Sequence, residues 1–144
     1  MNAKPQPEGA RVALLAERSA SAGRIVAEIA AWCAPHLDIE VRVINVQPAI
    51  TEWEITSHWS AARISELLSA RGASEIEPFA GALAARGIRF ETYFAVGAIP
   101  EAVAGFVSST GCRALVVARE HASRGRGSTL RRLARLVDVP IVLA

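Results

Sequence analysis

Short apolar runs alternate along the chain with stretches in which apolar residues recur at helical spacing. The runs at residues 12–16, 39–46 and 115–118 are mostly or wholly apolar, which is typical of strands buried on both faces of a sheet. Residues 88–96 instead alternate apolar with polar side chains, the pattern of an edge strand. A last short run is Ile141–Leu143. The pattern therefore predicts five strands.

Helical periodicity fills the intervals between these strands. The apolar positions that carry it are Ile25, Ile29 and Trp32, then Ile64, Leu67 and Leu68, then Ile99, Val103 and Phe106, and finally Leu130, Leu133 and Val137. Gly72 and Pro78 interrupt the second stretch, which predicts either one kinked helix or two shorter helices ending near Gly87. Residues 47–57 have no clear period, so we interpret them as a loop.

The order of elements is βαβαβαβαβ, which requires parallel strands joined by right-handed crossover helices. A chain of 144 residues with 51% hydrophobic and 21% charged side chains fits one α/β domain. We assign that domain to residues 11–144 and interpret residues 1–10 as a flexible tail without a secretory signal. The longest uncharged stretch, residues 102–112, is too short for a membrane span, so no membrane partner is expected.

Charge and cysteine content narrow the candidate chemistry. The net charge is +2, yet residues 119–135 contain six Arg and one Glu. A basic segment in a nearly neutral domain favours a small anionic ligand over a nucleic acid. Cys33 and Cys112 lie in apolar helical patterns, so we expect buried, reduced thiols and a cytoplasmic protein. No Cys or His pair has zinc-ligand spacing, so no metal site is predicted.

The strongest local signal is the Gly-rich segment Ser-Arg-Gly-Arg-Gly-Ser-Thr at residues 123–129, which follows a buried strand and opens a helix. Gly125 and Gly127 let the backbone approach a ligand closely, and Ser128 is the expected N-cap. The free N–H groups of a first helical turn attract phosphate. This is not a Walker loop, because Gly127 stands where that loop needs Lys. The alternative interpretation is a flexible basic loop that Ser128 caps.

Other polar and aromatic residues lie near the carboxyl ends of the predicted strands, where sheets of this kind bind ligands. Glu17 follows the first strand and fits either a ribose or base contact or a solvated acid. His58 and His121 have no partner at motif spacing, so we expect surface histidines. Trp53 and Trp59 are expected to pack over the sheet edge rather than stack on a base. No motif demands an enzyme.

Taken together, these segments resemble the universal stress protein family over nearly the whole chain. The matching pieces are Ala-Glu-Arg-Ser at residues 16–19 against V-D-G-S, Asn45 and Val46 at the end of the second strand, Gly97 and Pro100 after the third, and Gly127 and Ser128 about ten residues before Pro-Ile-Val-Leu at 140–143. The resemblance implies a five-stranded parallel sheet of order 3-2-1-4-5, as in adenine nucleotide alpha-hydrolase-like proteins. It also implies a cytoplasmic stress-response or signalling protein that acts by binding.

The resemblance also implies a nucleotide site. The Val46 backbone would meet adenine, Glu17 would meet the base or ribose, and the phosphates would meet Gly125, Gly127, Ser128 and Thr129. ATP-binding members carry G-x-x-G, nine residues and then G-S or G-T. Here Ala118 and His121 replace the first two glycines, and only five residues separate His121 from Gly127.

These departures predict weak or absent ATP binding, with a single phosphate or sulfate still held near Gly127 and Ser128. The alternatives are a functional ATP- or AMP-binding stress protein and a weak ATPase. Only the Gly-rich segment favours an ATPase, since no base or metal-binding carboxylate accompanies it.

Assembly is the last expectation. The sequence ends one residue after Ile141–Leu143, and in a 3-2-1-4-5 order that strand is an edge. An apolar edge with unpaired backbone groups favours pairing with another chain, and a twofold axis satisfies both copies. The resemblance implies the same arrangement, so a homodimer through the C-terminal strand is predicted.

Overall fold

The computed structural model describes residues 10–18, 20–32, 38–122 and 127–144. Five strands and five helices alternate along them, with a 3₁₀ turn after the fourth strand. They are β1 (Ala10–Leu15), α1 (Ala22–Trp32), β2 (Ile39–Gln47), α2 (Trp53–Thr56), α3 (Ala61–Ala85), β3 (Arg89–Val96), α4 (Ile99–Thr110), β4 (Ala114–Val117), the 3₁₀ turn (Arg119–Ala122), α5 (Gly127–Leu136) and β5 (Ile141–Leu143).

All strands are parallel and form one sheet in the order β3-β2-β1-β4-β5. The predicted fold class and strand order are therefore confirmed. Alternate residues of β1 point to opposite faces: Val12 and Leu14 pack with α1 and α3, while Ala13 and Leu15 pack with α4 and α5. Both faces of the central strand are thus covered, which explains why it has no polar alternation.

A single 25-residue helix, α3, runs through both residues that interrupt its pattern. Ser60 caps it by accepting a hydrogen bond from the backbone N–H of Arg63, at 3.1 Å. Gly87, with φ of 66°, follows its last turn as predicted. Of the two interpretations left open by the sequence, one continuous helix is correct. Its buried residues Ile76, Phe79 and Leu83 lie on both sides of Pro78 and pack in one core cluster with residues of the sheet, which holds the helix against it.

The predicted loop at residues 47–57 is partly wrong. The strand β2 continues through Gln47, and residues 53–56 form the short helix α2. Pairing with β3 up to the register Gln47–Val96 explains why the strand does not end earlier. The third strand is an edge strand, as its alternation predicted.

Cys112, the start of β1 and the lengths of the helices bear on three further predictions. Cys112 is buried, as predicted, and Cys33 lies outside the described residues. Strand β1 already begins at Ala10, the last residue assigned to the tail. Within the described residues, none of the helices has the length and apolar character needed to cross a bilayer.

Gly72 and Gly81 provide a test of how closely α3 approaches β3. A Cβ at Gly72 would lie 2.5 Å from Cδ2 of Phe94 and 3.2 Å from the side-chain oxygen of Asn45. A Cβ at Gly81 meets nothing within 4 Å. We expect Gly81→Ala to raise the free energy of unfolding by about 0.5–1 kcal/mol, because helical Gly costs entropy. Gly72→Ala should instead lower it by about 1–2 kcal/mol through overpacking. Urea unfolding of both variants measures this, and equal stabilisation by the two would contradict the packing.

Candidate functional site

The sheet has a step at its carboxyl edge. Pairing between β1 and β2 ends at the register Leu15–Ile44, although β2 continues for three more residues. The Ile44 carbonyl accepts a hydrogen bond from the N–H of Ala16, at 2.9 Å. Because backbone groups alternate in direction along a strand, Val46 also directs its N–H and carbonyl toward the β1 side, beyond the end of β1. The step therefore leaves backbone polar groups facing open space.

This space is a cleft of about 450 Å³, which we call the edge cleft. Its lining includes Glu17, Arg18, Val46, Gln47, Glu75 and Ile99. Two of the residues singled out from the sequence, Glu17 and Val46, are therefore brought together. The residues Gly127, Ser128 and Thr129 form the first turn of α5 and are not among those that line the cleft. Gly125 lies outside the described residues.

Ser128 is not the N-cap of α5. The helix already begins at Gly127, so the Ser128 side chain lies within the first turn, where it is exposed. A cap side chain must precede the helix to reach the free N–H groups. The first-turn N–H groups remain the feature of this segment that suits an anion.

Glu17 forms a hydrogen bond with a buried histidine. The side chain of His121 is 6% exposed, and its Nε2 donates to the Oε2 of Glu17. The predicted surface position of His121 is therefore wrong, whereas His58 is exposed as expected. The reason is local: the 3₁₀ turn after β4, closed by a 3.0 Å bond from His121 N to Ala118 O, folds the chain back toward the end of β1.

The pair is also unusual in its hydrogen bonding. The Nδ1 atom of His121 is buried and has no partner among the described residues. Buried polar atoms are nearly always paired, so this ring nitrogen weakens the fold locally. Sequence reasoning missed the pair, since Glu17 and His121 stand 104 residues apart and meet only because β1 and β4 are neighbours.

The turn that carries His121 is held from its other side by Arg24 of α1. The guanidinium donates to both carboxylate oxygens of Glu120, at 2.7 and 3.0 Å, and to the Ala144 carbonyl, at 3.3 Å. A hydrogen bond from its own backbone N–H, followed by the bond from Arg24, holds the pKa of Glu120 below its ordinary value. The charged carboxylate thus helps to fix the turn beside the site.

A second polar cluster, formed by Asn45, Gln47 and Glu75, lies on the β2 side of Ala16, whereas the Glu17–His121 pair lies toward β4. Asn45 donates to the Ala16 carbonyl at 2.9 Å and to the Oε2 of Glu75 at 2.7 Å. Gln47 donates to the same carboxylate oxygen at 2.7 Å and to the Asn45 side-chain oxygen at 3.0 Å. Asn45 and Gln47 are buried, so these bonds satisfy groups that are cut off from water. The available signal was their alternation with apolar residues at the end of a buried strand.

The tryptophans do not pack as predicted. Trp53 is 77% exposed and Trp59 is 36% exposed. Helix α2, which carries Trp53, is a single short turn, and Trp59 precedes the cap of α3. Arg63 stacks over the Trp59 ring at 4.9 Å. Among the described residues, no three His, Cys, Asp or Glu side chains are grouped so as to hold a metal ion.

Comparisons with known proteins bear on the fold. No family model matches the sequence, and no curated protein matches it. A universal stress protein family member from Burkholderia pseudomallei gives a TM-score of 0.70 at 13% identity over 97% of this chain and 98% of that one. The universal stress protein from Archaeoglobus fulgidus in complex with dAMP gives 0.62 at 15% identity over 93% and 96%. A family member from Arabidopsis thaliana with AMP bound gives 0.66 at 15% identity over 93% and 90%.

The chain has the universal stress protein fold. Coverage of nine-tenths or more on both sides means that the likeness extends over the whole domain rather than one shared motif. It confirms the resemblance that the sequence predicted, at the level of the fold. In this universal stress protein fold, the Glu17–His121 pair lies at the ends of the two adjacent strands β1 and β4.

The two histidines give a matched test of the buried pair. We expect His121→Ala to lower the free energy of unfolding by about 2 kcal/mol, because it removes a buried ring and leaves the carboxylate of Glu17 without its donor. His58→Ala, at an exposed position, should change it by no more than about 0.5 kcal/mol. Chemical denaturation of both variants measures the difference. Equal, small effects would mean that the pair contributes nothing to stability.

Proposed function

We propose that this chain is a member of the universal stress protein family that acts by binding in the cytoplasm, with a degenerate nucleotide site and weak or absent ATP binding. The observation that carries the proposal is the Glu17–His121 hydrogen bond. The resemblance assigns Glu17 to the base or ribose of a nucleotide. In this chain a buried internal donor already bonds one of the two carboxylate oxygens, so a ribose whose two hydroxyls need both oxygens must compete with His121.

The position of His121 supports the same conclusion. His121 stands where the ATP-binding pattern has its second glycine, and its imidazole occupies space that glycine leaves open. The shortened Gly-rich segment further reduces the number of N–H groups that converge on a phosphate chain. Gly127, Ser128 and Thr129 retain a helix first turn, which suits one phosphate or sulfate better than three linked phosphates.

A nucleoside monophosphate is the second candidate ligand. Similar structures hold AMP and dAMP, and a monophosphate makes fewer demands on the Gly-rich segment. The edge cleft, with Val46 directing its backbone groups toward it, supports this alternative. The degenerate-site proposal and this alternative are both binding functions. They differ in whether an adenine nucleotide is the ligand.

Calorimetric titration with ATP and AMP tests the proposal. We expect ATP to bind the purified protein with a Kd of about 1 mM or weaker, because one oxygen of Glu17 is engaged and the phosphate segment is short. His121→Gly should strengthen binding of AMP about tenfold by releasing the carboxylate. His58→Gly is the control and should leave binding unchanged.

Two results would contradict the proposal. One is a micromolar Kd for ATP in the unaltered protein. The other is AMP binding that does not respond to His121→Gly, which would show that the Glu17–His121 pair does not obstruct the site.

We also propose that the chain forms a homodimer through β5. This strand lies at the edge of the sheet, and Leu143 is 41% exposed. The N–H of Leu115 donates to the Pro140 carbonyl, and the N–H of Ala144 donates to the Val117 carbonyl. Backbone direction alternates along a strand, so Ile141 and Leu143 direct their backbone groups away from β4. Those groups are free to pair with a second copy across a twofold axis.

Two proline substitutions in β5 distinguish its pairing with a second copy from its pairing with β4. Leu143→Pro removes an outward-facing N–H and leaves the pairing with β4 intact, so we expect a folded monomer. Val142→Pro removes an N–H directed toward β4 and should instead destabilise the sheet itself. Light scattering at tens of micromolar should give about twice the 15.3 kDa chain mass for the unaltered protein. A 15.3 kDa species would refute the dimer, and a dimer that survives Leu143→Pro would place the interface elsewhere.

A further inference from the structure

A second cleft of about 480 Å³ lies between the segment after β1 and the long helix α3. We call it the helix cleft. The segment contributes Glu17 and Arg18, and α3 contributes Arg71, Ser74 and Pro78, whose spacings of three and four residues place them on one helix face. Apolar side chains such as Leu67 and Phe79 complete the wall. The cleft therefore combines an apolar body with charged groups of both signs, as small-molecule sites do.

Glu75, which also lines the helix cleft, presents an oriented carboxylate. Its Oε2 accepts two hydrogen bonds, from the buried amides of Asn45 and Gln47, both at 2.7 Å. These two hydrogen bonds fix the orientation of the carboxylate. Its Oε1 has no donor among the described residues. Glu17 repeats the arrangement, since His121 bonds one of its oxygens and no described residue donates to the other.

Pro78 adds a third acceptor to the same wall. Proline has no N–H, so the carbonyl of Ser74, four residues earlier, lacks its helical donor. Ser74 and Pro78 both line the helix cleft. Three acceptors are thus short of donors around one space, and they suit a ligand that brings N–H groups.

The rim of the helix cleft has the opposite character. Arg18 and Arg71 are exposed, and neither forms an ion pair with a described residue. Two guanidinium groups beside two carboxylates give a lining of no net charge but with separated signs. A ligand that matches it carries a cation at one end and an anion at the other.

We propose that the helix cleft binds a small zwitterion. Its ammonium or guanidinium group lies against Glu17, Glu75 and the Ser74 carbonyl, and its carboxylate or phosphate lies against Arg18 and Arg71. This deepens the binding role proposed above by giving the class of ligand. The helix cleft shares Glu17, Arg18 and Glu75 with the edge cleft, so a zwitterion and a nucleotide would exclude each other.

Matched probes test the charge pattern. Calorimetric titration would use 6-aminohexanoate, with hexylamine and hexanoate as probes that keep only one end. We expect 6-aminohexanoate to bind with a Kd of about 1 mM or tighter and each half-probe at least about tenfold more weakly. Titration with O-phosphoethanolamine distinguishes a phosphate-bearing ligand from a carboxylate-bearing one.

Variants on α3 assign the binding to residues. Glu75→Gln keeps an oxygen for the two amides, so the fold should persist while binding of 6-aminohexanoate falls about tenfold. Arg71→Gln should weaken it about threefold, less because Arg71 is exposed. Glu77→Gln, on the same helix, and Arg86→Gln, just after its last residue, are the controls; both positions are exposed and outside the cleft. Circular dichroism melts confirm that all four variants fold.

Three outcomes would overturn the zwitterion site. They are no binding of either zwitterion at 10 mM, binding that neither Glu75→Gln nor Arg71→Gln weakens, and hexylamine binding as tightly as 6-aminohexanoate. If the zwitterions fail while ATP also binds weakly, the site is wrong and the proposed function stands. If ATP binds at micromolar concentration while 6-aminohexanoate binding depends on Glu75, the proposed function fails and the site stands.

Discussion

The hydrogen bond between Glu17 and His121 joins the carboxyl ends of β1 and β4, the two strands between which the sheet changes its direction of winding. The chain leaves the carboxyl end of β1 toward β2 and that of β4 toward β5, so the two connections diverge and a crevice opens between them. Open parallel sheets bind their ligands in such a crevice. The Glu17–His121 hydrogen bond spans the crevice between the ends of β1 and β4. Arg24 of α1 fixes the turn that carries His121 by donating to Glu120. It also donates to the carbonyl of Ala144, so the turn, α1 and the residue after β5 are connected through one guanidinium group.

On the β2 side of β1, the cluster of Asn45, Gln47 and Glu75 has a different role. It connects the overhanging end of β2 to α3, where Gly72 allows the helix to approach Phe94. Burying two amides and part of a carboxylate is costly unless each is bonded, and here the amides share one oxygen. Removing Glu75 entirely would leave two buried donors unpaired, so this residue has a structural role beside any role in binding.

The strands could be predicted because burial on both faces of a sheet requires a continuous apolar run, as in residues 12–16 and 115–118. Their order follows only from the resemblance to the universal stress protein family. The length of α3 could not be predicted, because Gly72 and Pro78 lower the local helix propensity and only tertiary packing outweighs that effect. His121 and Trp53 were misjudged for a related reason. Burial of these side chains depends on contacts between residues far apart in sequence: His121 meets Glu17 from 104 residues away, whereas Trp53, in a short helix, remains exposed.

The two clefts share Glu17, Arg18 and Glu75, and these residues limit which ligands the carboxyl edge of the sheet can hold. In the proposed arrangement a nucleotide would place its phosphates near the first turn of α5 and its sugar or base beside Glu17 and Glu75, which offer acceptors and no donors. Hydroxyl and amino groups satisfy such acceptors, whereas a phosphate beside them would be repelled. Only Arg18, common to both clefts, attracts an anion at their junction. The charge distribution therefore favours ligands whose N–H or O–H groups lie innermost and whose anionic group stays at the rim.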